Sequence, residues 1–253
     1  MDKTEFNDVD RDELLYGVYA RHARPGSRLE TELYWLGNTR DDVTFNGTSG
    51  DARRHTFGYR GKGALAERAD WEVEADWQIG EVGSADVSAY SLATILGHTF
   101  DAKGDPRAWI GLDWASGDDS PGGDLQTFDQ LYPLGHAHLG FVDTIGRQNV
   151  IDTSTGTSWK ANSSVTIAAF AHSFWAENSD DAIYNAGGGI VRPGASYDSN
   201  WIGFETDLVA RWKVASNLEF EAGYMHFFAG DALSDSSADD DIDFTYFAAT
   251  TGF

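Results

Sequence analysis

The sequence contains no cysteine, so neither a disulfide framework nor a thiolate metal site is available. No hydrophobic run reaches the roughly 18 apolar residues of a membrane-spanning helix, and residues 1–13 lack the apolar core and cleavage site of a signal peptide. The net charge of -23 makes nucleic acid a poor partner, because duplex binding requires basic surface that displaces counterions. Methionine is scarce, with 2 residues, whereas the chain has 28 Gly, 9 Trp, 10 Tyr and 15 Phe. This balance is atypical of a conventional soluble core.

Sequence motifs for catalysis are also missing. The chain has no G-x-S-x-G elbow, no phosphate-binding glycine loop and no H-E-x-x-H pair. Glu72 and Glu74 could mimic the paired carboxylates of a glycosidase, but similar pairs recur along many segments. A charged wall explains them better, so we predict that the protein is not an enzyme and uses no cofactor.

Two kinds of candidate metal ligand are present. His136 and His138 form an H-x-H pair, yet no carboxylate or cysteine completes a recognisable set. The acidic segments 118–124 and 234–243 offer oxygen ligands that suit Ca²⁺, but they lack the ordered spacing of a calcium loop. We predict solvated surface loops and no metal site.

Apolar and polar residues alternate along most of the chain. In 71–79, Trp, Val, Ala, Trp and Ile occupy one face of a strand, while Glu, Glu, Asp and Gln occupy the other. Residues 37–52 are more polar and are predicted to be a loop. Comparable segments predict eleven strands in all: 14–22, 29–35, 54–62, 71–79, 84–100, 107–114, 150–160, 165–175, 202–214, 218–228 and 242–253.

The connections between these strands alternate in length. Short turns fall near residues 24, 64, 103, 162 and 216, and long loops near 45, 130, 188 and 236, with the turn near 83 as an exception. Five tryptophans near predicted strand ends fit interfacial girdles: Trp35, Trp71, Trp114, Trp175 and Trp201. We predict an all-β fold, an antiparallel transmembrane β-barrel of the bacterial outer-membrane type, as a single domain over 1–253. The alternative is a secreted carbohydrate-binding β-sandwich.

Eleven is an odd number of strands. Closing strand eleven onto strand one would create a parallel pair, whereas bacterial barrels close antiparallel with an even number. We therefore expect the chain to be an N-terminally truncated part of a larger barrel, with an open or strained sheet. A twelfth strand formed by residues 1–10 would contradict this expectation.

A long apolar interruption separates strands six and seven. The run TFDQLYPLGHAHLGFVDTIGRQNV begins at Thr127, and three shorter motifs follow it: HSFW at 172–175, AIYNAGG at 182–188 and EFEAGYMHFFAGD at 219–231. In order and spacing, these motifs resemble the alginate export family of outer-membrane porins. The resemblance covers residues 14–253, and the terminal Phe253 resembles the signal that such barrels present to the barrel assembly machinery.

This resemblance implies a monomeric channel, in contact with outer-membrane lipid, for passive export of an anionic polysaccharide such as alginate. It also implies that the long extracellular loop 117–149 folds toward the lumen, with Arg147 near the constriction. Other small solutes are alternative cargo, as in a general or sugar-uptake porin on the same fold. We also predict that Arg147 pairs locally with Asp143.

The predicted lumen faces carry charges of both signs. Eight residues are basic: Arg28, Arg54, Arg60, Lys62, Arg68, Arg107, Arg211 and Lys213. Ten are acidic: Glu30, Glu32, Glu72, Glu74, Asp76, Asp113, Glu205, Asp207, Glu219 and Glu221. The predicted substrate path consists of Arg147, the eight basic residues and six acids: Glu72, Glu74, Asp76, Asp113, Glu205 and Asp207. Such a balance favours ion pairs between neighbouring strands, with ligand contact as the alternative. A polyuronate in the lumen would meet charges of both signs.

Overall fold

One antiparallel sheet organises the fold. The structure is a computed structural model that describes residues 12–119, 122–136 and 138–252. Its eleven-stranded sheet has the order β1-β2-β3-β4-β5-β6-β7-β8-β11-β12-β13, and β9 and β10 form a separate pair. The sheet strands are β1 (Glu13–Ala23), β2 (Leu29–Phe45), β3 (Thr48–Ala64), β4 (Ala69–Val82), β5 (Ala85–Thr99), β6 (Arg107–Ala115), β7 (Val150–Lys160), β8 (Val165–Ala176), β11 (Trp201–Ala215), β12 (Leu218–Ala229) and β13 (Ile242–Thr251). The short pair is β9 (Ile183–Tyr184) and β10 (Ile190–Arg192), and a 3₁₀ turn covers Asp231–Leu233.

The predicted all-β fold is confirmed, and its main sheet contains the predicted number of eleven strands. A single continuous sheet replaces the two packed sheets of the alternative sandwich. Within the described residues, the structure has no helix long and apolar enough to cross a membrane.

The two faces of the sheet differ as the alternation predicts. Because side chains in a strand point alternately to opposite faces, the register carries each face across all neighbours. The outward face exposes large apolar side chains, among them Leu33, Trp77 and Leu208 at 61%, 44% and 51%. The inward face carries most of the charged residues of the strands. This pattern suits a wall with lipid on one side and a polar interior on the other.

An aromatic belt runs across the outward face. Trp35, Phe57, Trp77 and Tyr90 occupy matching register positions on β2 to β5. Neighbouring ring centroids lie 6.1 Å apart for Phe57 and Trp77 and 6.5 Å apart for Trp77 and Tyr90. Trp35 sits well inside β2, which spans 17 residues, so its predicted place near a strand end is wrong. The belt itself has the form of an interfacial girdle.

The polar loop predicted over 37–52 is also wrong. β2 and β3 continue through this region and meet at a two-residue turn, Asn46-Gly47, where φ is 39° and 83°. Positive φ at both positions is the requirement of the tight turn that matches strand twist, and Asn-Gly is its preferred sequence. This hairpin extends beyond the aromatic belt, so its strands have no apolar face. The alternation of apolar and polar residues that predicts the other strands is therefore missing here.

The sheet is open. Its two outer strands, β1 and β13, both run from the end with the long loops toward the end with the short turns. Direct pairing between them would be parallel, which agrees with the expected open sheet. The alternative twelfth strand at residues 1–10 lies outside the described residues.

The two ends of the sheet are built differently. The loop end holds the hairpin turns at 46–47 and 83–84 and the long segments 116–149, 177–200 and 230–241. The turn end holds the short connections 24–28, 65–68, 100–106, 161–164 and 216–217. The buried hydrophobic core lies at the loop end, where the long segments pack on the inner ends of the strands; its largest members are Phe45, Phe128, Phe174, Tyr184, Tyr197 and Phe227. None of its described members comes from the five short connections.

Candidate channel interior

The segment 117–149 is fastened to the inner face of the sheet. Near its start, Asp129 forms two backbone hydrogen bonds with the side chain of Gln78 on β4: its N–H donates to Oε1 at 2.9 Å, and its carbonyl accepts from Nε2 at 2.8 Å. Both the segment and Gln78 are buried here. The carboxylate of Asp129 also pairs with Arg40 of β2. The inward side chains of β2 and β4 thus hold this part of the segment.

Arg54 lies beneath the same segment. Its side chain is fully buried, and Nη1 donates to the carbonyl of Thr127 at 2.9 Å and to Oε1 of Gln78 at 3.3 Å. The guanidinium lies 4.5 Å from the centroid of the Phe45 ring, in a cation–π arrangement. Arg54 points inward, as the alternation predicts, but the segment covers it. Its place in the substrate path stays a prediction.

A second attachment joins the segment to β11. Oε1 of Glu205 accepts the N–H groups of Phe141 and Val142 at 2.6 and 2.9 Å. Gly140 has a φ of 80°, and a Cβ at this position would collide with the Glu205 carboxylate. Only glycine therefore lets the backbone approach this carboxylate so closely. The neighbouring Asp207 is also buried, and neither of its carboxylate oxygens has a hydrogen-bond partner among the described residues.

Arg147 provides a third attachment. Its Nη2 lies 2.5 Å from Oδ2 of Asp113 on β6, and its N–H donates to Oε1 of Gln130 at 2.7 Å. Burial disfavours the charged guanidinium, yet the Asp113 carboxylate holds the pKa of Arg147 above its usual value. The predicted pairing with Asp143 is wrong. Asp143 instead pairs with His136, and its Oδ2 lies 3.0 Å from Nδ1 of that residue.

The two long segments are joined through one buried carboxylate. Asp181 accepts four hydrogen bonds: from the N–H of Asp118 at 2.8 Å, the N–H of Ala182 at 2.6 Å, Oγ1 of Thr127 at 2.6 Å and the hydroxyl of Tyr184 at 2.8 Å. Burial raises the pKa of Asp181, although the four donors favour its charged form. Asp181 is absent from the predicted site, because nothing in a loop sequence shows which acid becomes buried.

Toward the turn end, the interior charges form ion pairs between neighbouring strands. Arg60 on β3 pairs with Glu72 on β4, and its Nη1 lies 3.6 Å from Glu32 on β2. Lys62 on β3 lies 3.5 Å from Glu30 on β2. These residues thus form the ion pairs between neighbouring strands that the balance of charges favours.

The same arrangement continues around the sheet. Nη2 of Arg107 on β6 lies 2.5 Å from Oδ1 of Asp70 on β4, across β5. Arg211 on β11 pairs with Glu221 on β12. Lys213 faces Glu219 in the register of the same two strands, without an ion pair to any described residue. These groups lie on the inward face near the turn end.

Two of the predicted path residues lie in or beside short turns. Arg68 belongs to the connection 65–68 and pairs with Asp101 of the next turn, at 3.1 Å. Arg28 precedes β2, and its Nη1 donates to the carbonyl of Ala66 at 3.3 Å. Both residues are therefore placed at the rim of the turn end, beyond the strands.

Two other inward acids, Glu74 and Asp76, form no ion pair with a basic side chain among the described residues. The hydroxyl oxygen of Tyr34 lies 2.7 Å from Glu74 and 2.6 Å from Asp76, so its single proton is shared between the two carboxylates, and Ser91 donates to Asp76 at 2.8 Å. Asp76 and Glu74 accordingly receive neutral hydrogen bonds. Glu72, in contrast, is held by Arg60. The three carboxylates on β4 therefore differ in their surroundings.

Two of the cavities along the inner face are each lined by at least three basic residues of the predicted path. One, of about 350 Å³, lies between the segment 117–149 and the wall, and Arg60, Arg147 and Arg211 line it. The other, of about 610 Å³, lies at the turn end, where Lys62 and Arg107 line it. Within the described ranges, no group of three or more His, Asp or Glu side chains is arranged to hold a metal ion. Because charged side chains line both cavities, the interior can contact a polar solute through them.

The comparisons with known proteins identify the family. The protein-family model described as alginate export matches residues 1–245. The chain belongs to the alginate export family. Its members are outer-membrane channels rather than enzymes, and the resemblance predicted from the sequence motifs is confirmed. No curated protein matches the chain significantly.

Among solved structures, the chain is similar to a NanC porin in a rhombohedral crystal form. The two are 11% identical, with a TM-score of 0.43, and the match covers 95% of this chain and 99% of that one.

Proposed function

We propose that the chain forms the wall of a monomeric outer-membrane channel that exports an anionic polysaccharide, such as alginate, by passive diffusion. The observation that carries the proposal is the succession of basic residues along the inner face. Lys62 and Arg107 line the cavity at the turn end, and Arg60, Arg147 and Arg211 line the next cavity. Acids such as Glu72 share both linings, so a polyanion that enters at the turn end would meet basic residues at each step within a field of mixed charge.

The ion pairs suit a conducting path. Arg60, Arg107 and Arg211 keep 31%, 31% and 50% of their side chains exposed while they contact a carboxylate. A carboxylate of the cargo could therefore share each guanidinium, since this group has five N–H donors. Sharing keeps each contact weak, which allows the cargo to leave as well as enter.

The orientation follows from the loops. Barrels of this class place short turns in the periplasm and long loops outside the cell. We therefore assign the turn end to the periplasm and the loop end to the exterior. The segment 117–149 then becomes the extracellular loop that folds into the lumen, with Arg147 at the narrow part of the path. The outward aromatic belt would contact outer-membrane lipid, and insertion would use the barrel assembly machinery.

A general or sugar-uptake porin is the second candidate. The inward acids Glu74 and Asp76 favour it, because they carry no basic partner among the described residues. Unpaired acidic groups in a pore favour cations over anions.

Planar-bilayer recordings of the full-length protein separate the two candidates. We expect a reversal potential that indicates anion preference, together with current block by an oligouronate on the turn-end side at concentrations where a neutral oligosaccharide has a weaker effect. Arg60→Gln should weaken the oligouronate block. Arg53→Gln is the control, because Arg53 points outward, with 64% of its side chain exposed. Strong cation preference without oligouronate block would contradict the export proposal.

A further inference from the structure

Aromatic rings interrupt the charged inner face. Trp109 on β6, Phe170 on β8 and Tyr246 on β13 all point inward, since they share the register face of charged neighbours. Trp109 and Phe170 have ring centroids 6.1 Å apart. Burial in a hydrophobic core does not explain why these aromatic side chains lie on the polar side of a channel wall.

Two of these rings are covered by the inserted segment. Phe141 of the segment stacks on Phe170 at 5.7 Å and on Tyr246 at 6.4 Å, with interplanar angles of 23° and 6°. His136 stacks on Tyr246 as well, at 6.3 Å. Phe170 and Tyr246 therefore serve to hold the segment against the wall.

Trp109 differs from them in its surroundings. A Cβ added to Gly156, its register neighbour on β7, would collide with the indole, so the ring lies over the glycine and against the wall. No ring of the segment stacks on Trp109 within the described residues. The indole lines both the 350 Å³ cavity and the 610 Å³ cavity, so it lies where the two meet. A flat, half-buried ring thus lines both cavities at their junction.

The chemistry around this ring points to a sugar. The face of an aromatic ring carries partial negative charge, and the C–H groups on one side of a pyranose are its positive counterpart. Glu72 lines both cavities beside Trp109. Its partner Arg60 and the nearby Arg107 offer charged donors for hydroxyl or carboxylate groups at the edge of such a sugar ring.

We propose that Trp109 is a stacking platform for one pyranose unit of an oligosaccharide as it passes between the two cavities. This inference rests on the proposed channel function and adds a specific saccharide subsite to it. The platform recognises the apolar face of the sugar and is independent of its charge. A neutral and an anionic oligosaccharide should therefore both depend on Trp109, whereas loss of an arginine should weaken the anionic one more than the neutral one.

The test compares three variants of the full-length protein in detergent. Calorimetric titration with an oligouronate and with a maltooligosaccharide should give affinities about tenfold weaker for Trp109→Ala, in line with the loss of one stacked ring. Trp109→Phe should retain most of the affinity, because a flat ring remains. Trp159→Ala is the matched control, since Trp159 lies on the outward face, with 36% of its surface exposed.

Planar-bilayer conductance of the same variants distinguishes the possible failures. Heat-modified migration on gels establishes that each variant is folded. If Trp109→Ala binds both sugars as tightly as wild type while wild-type channels conduct, the platform is wrong and the channel stands. If Trp109→Phe is as weak as Trp109→Ala, a flat ring is insufficient and the stacking proposal fails. If wild type itself does not conduct, the proposed function fails.

Discussion

The loop end and the turn end share one sheet but differ in how their polar groups are treated. At the loop end, Asp181 and Arg54 are completely buried, and their hydrogen bonds join separate segments. At the turn end, Arg107 and Asp70 form an ion pair with 31% and 43% of their side chains exposed. A buried polar group that loses its partner is costly, whereas an exposed ion pair contributes little. The polar groups of the loop end should therefore contribute most to the free energy of unfolding, and those of the turn end should be available for contact with a solute.

The largest effect should come from Asp181→Ala. Four donors lose their common acceptor in a buried site, so the free energy of unfolding should fall by about 4 kcal/mol. Urea unfolding in detergent, with protease sensitivity of residues 117–149 as a local readout, measures this loss. Asp180→Ala is the control, because Asp180 is exposed. Equal stability of the two variants would contradict a loop end held by Asp181.

Gly140→Ala should have an intermediate effect. The new Cβ meets the Glu205 carboxylate at a φ of 80°, so the contact with Phe141 and Val142 should be lost, at a cost of about 2–3 kcal/mol. Hydrogen exchange of these two amides should accelerate. Gly122→Ala isolates the backbone cost, since Gly122 has a φ of 83° and open space around its Cβ position. If both variants behave alike, Glu205 does not fix the segment.

Arg107→Gln should have the smallest effect on stability. The pair with Asp70 is partly solvated, so its loss should lower the free energy of unfolding by less than about 1 kcal/mol. In 1 M salt the difference should disappear, because screening weakens exposed pairs. Urea unfolding at low and high salt measures both values. A loss as large as that of Asp181→Ala would remove the distinction between the two ends.

Alternation in the sequence predicts the sheet well because the physical cause is local. A strand that faces lipid on one side and a polar interior on the other must alternate apolar and polar side chains at successive residues, as 71–79 does. Alternation gives no signal at 37–52, where the β2–β3 hairpin extends past the apolar band and both faces become polar. The position of Trp35 within its strand is not predictable from alternation either, because the length of β2 depends on pairing with its neighbours.

The interior was predicted less completely for a similar reason. The inward direction of Arg60, Lys62 and Arg107 follows from strand parity, and their ion pairs follow from register. The burial of Arg54 does not, because it depends on a segment more than 70 residues away in the sequence. The partner of Arg147 is likewise set by how the segment 117–149 crosses to β6. Contacts between distant segments leave no periodic signal in the chain.

Cysteine accessibility tests the central claim, that the charged face lines water and the apolar face meets lipid. The chain has no cysteine, so single cysteines introduced into it report without background from its own residues. Ser154 lines the 350 Å³ cavity, and Thr153 is the adjacent residue on the opposite face of β7. In the membrane-inserted full-length protein, a charged thiol reagent should modify Ser154→Cys rapidly and leave Thr153→Cys unmodified. Equal modification of both cysteines, or preferential modification of Thr153→Cys, would contradict the claim.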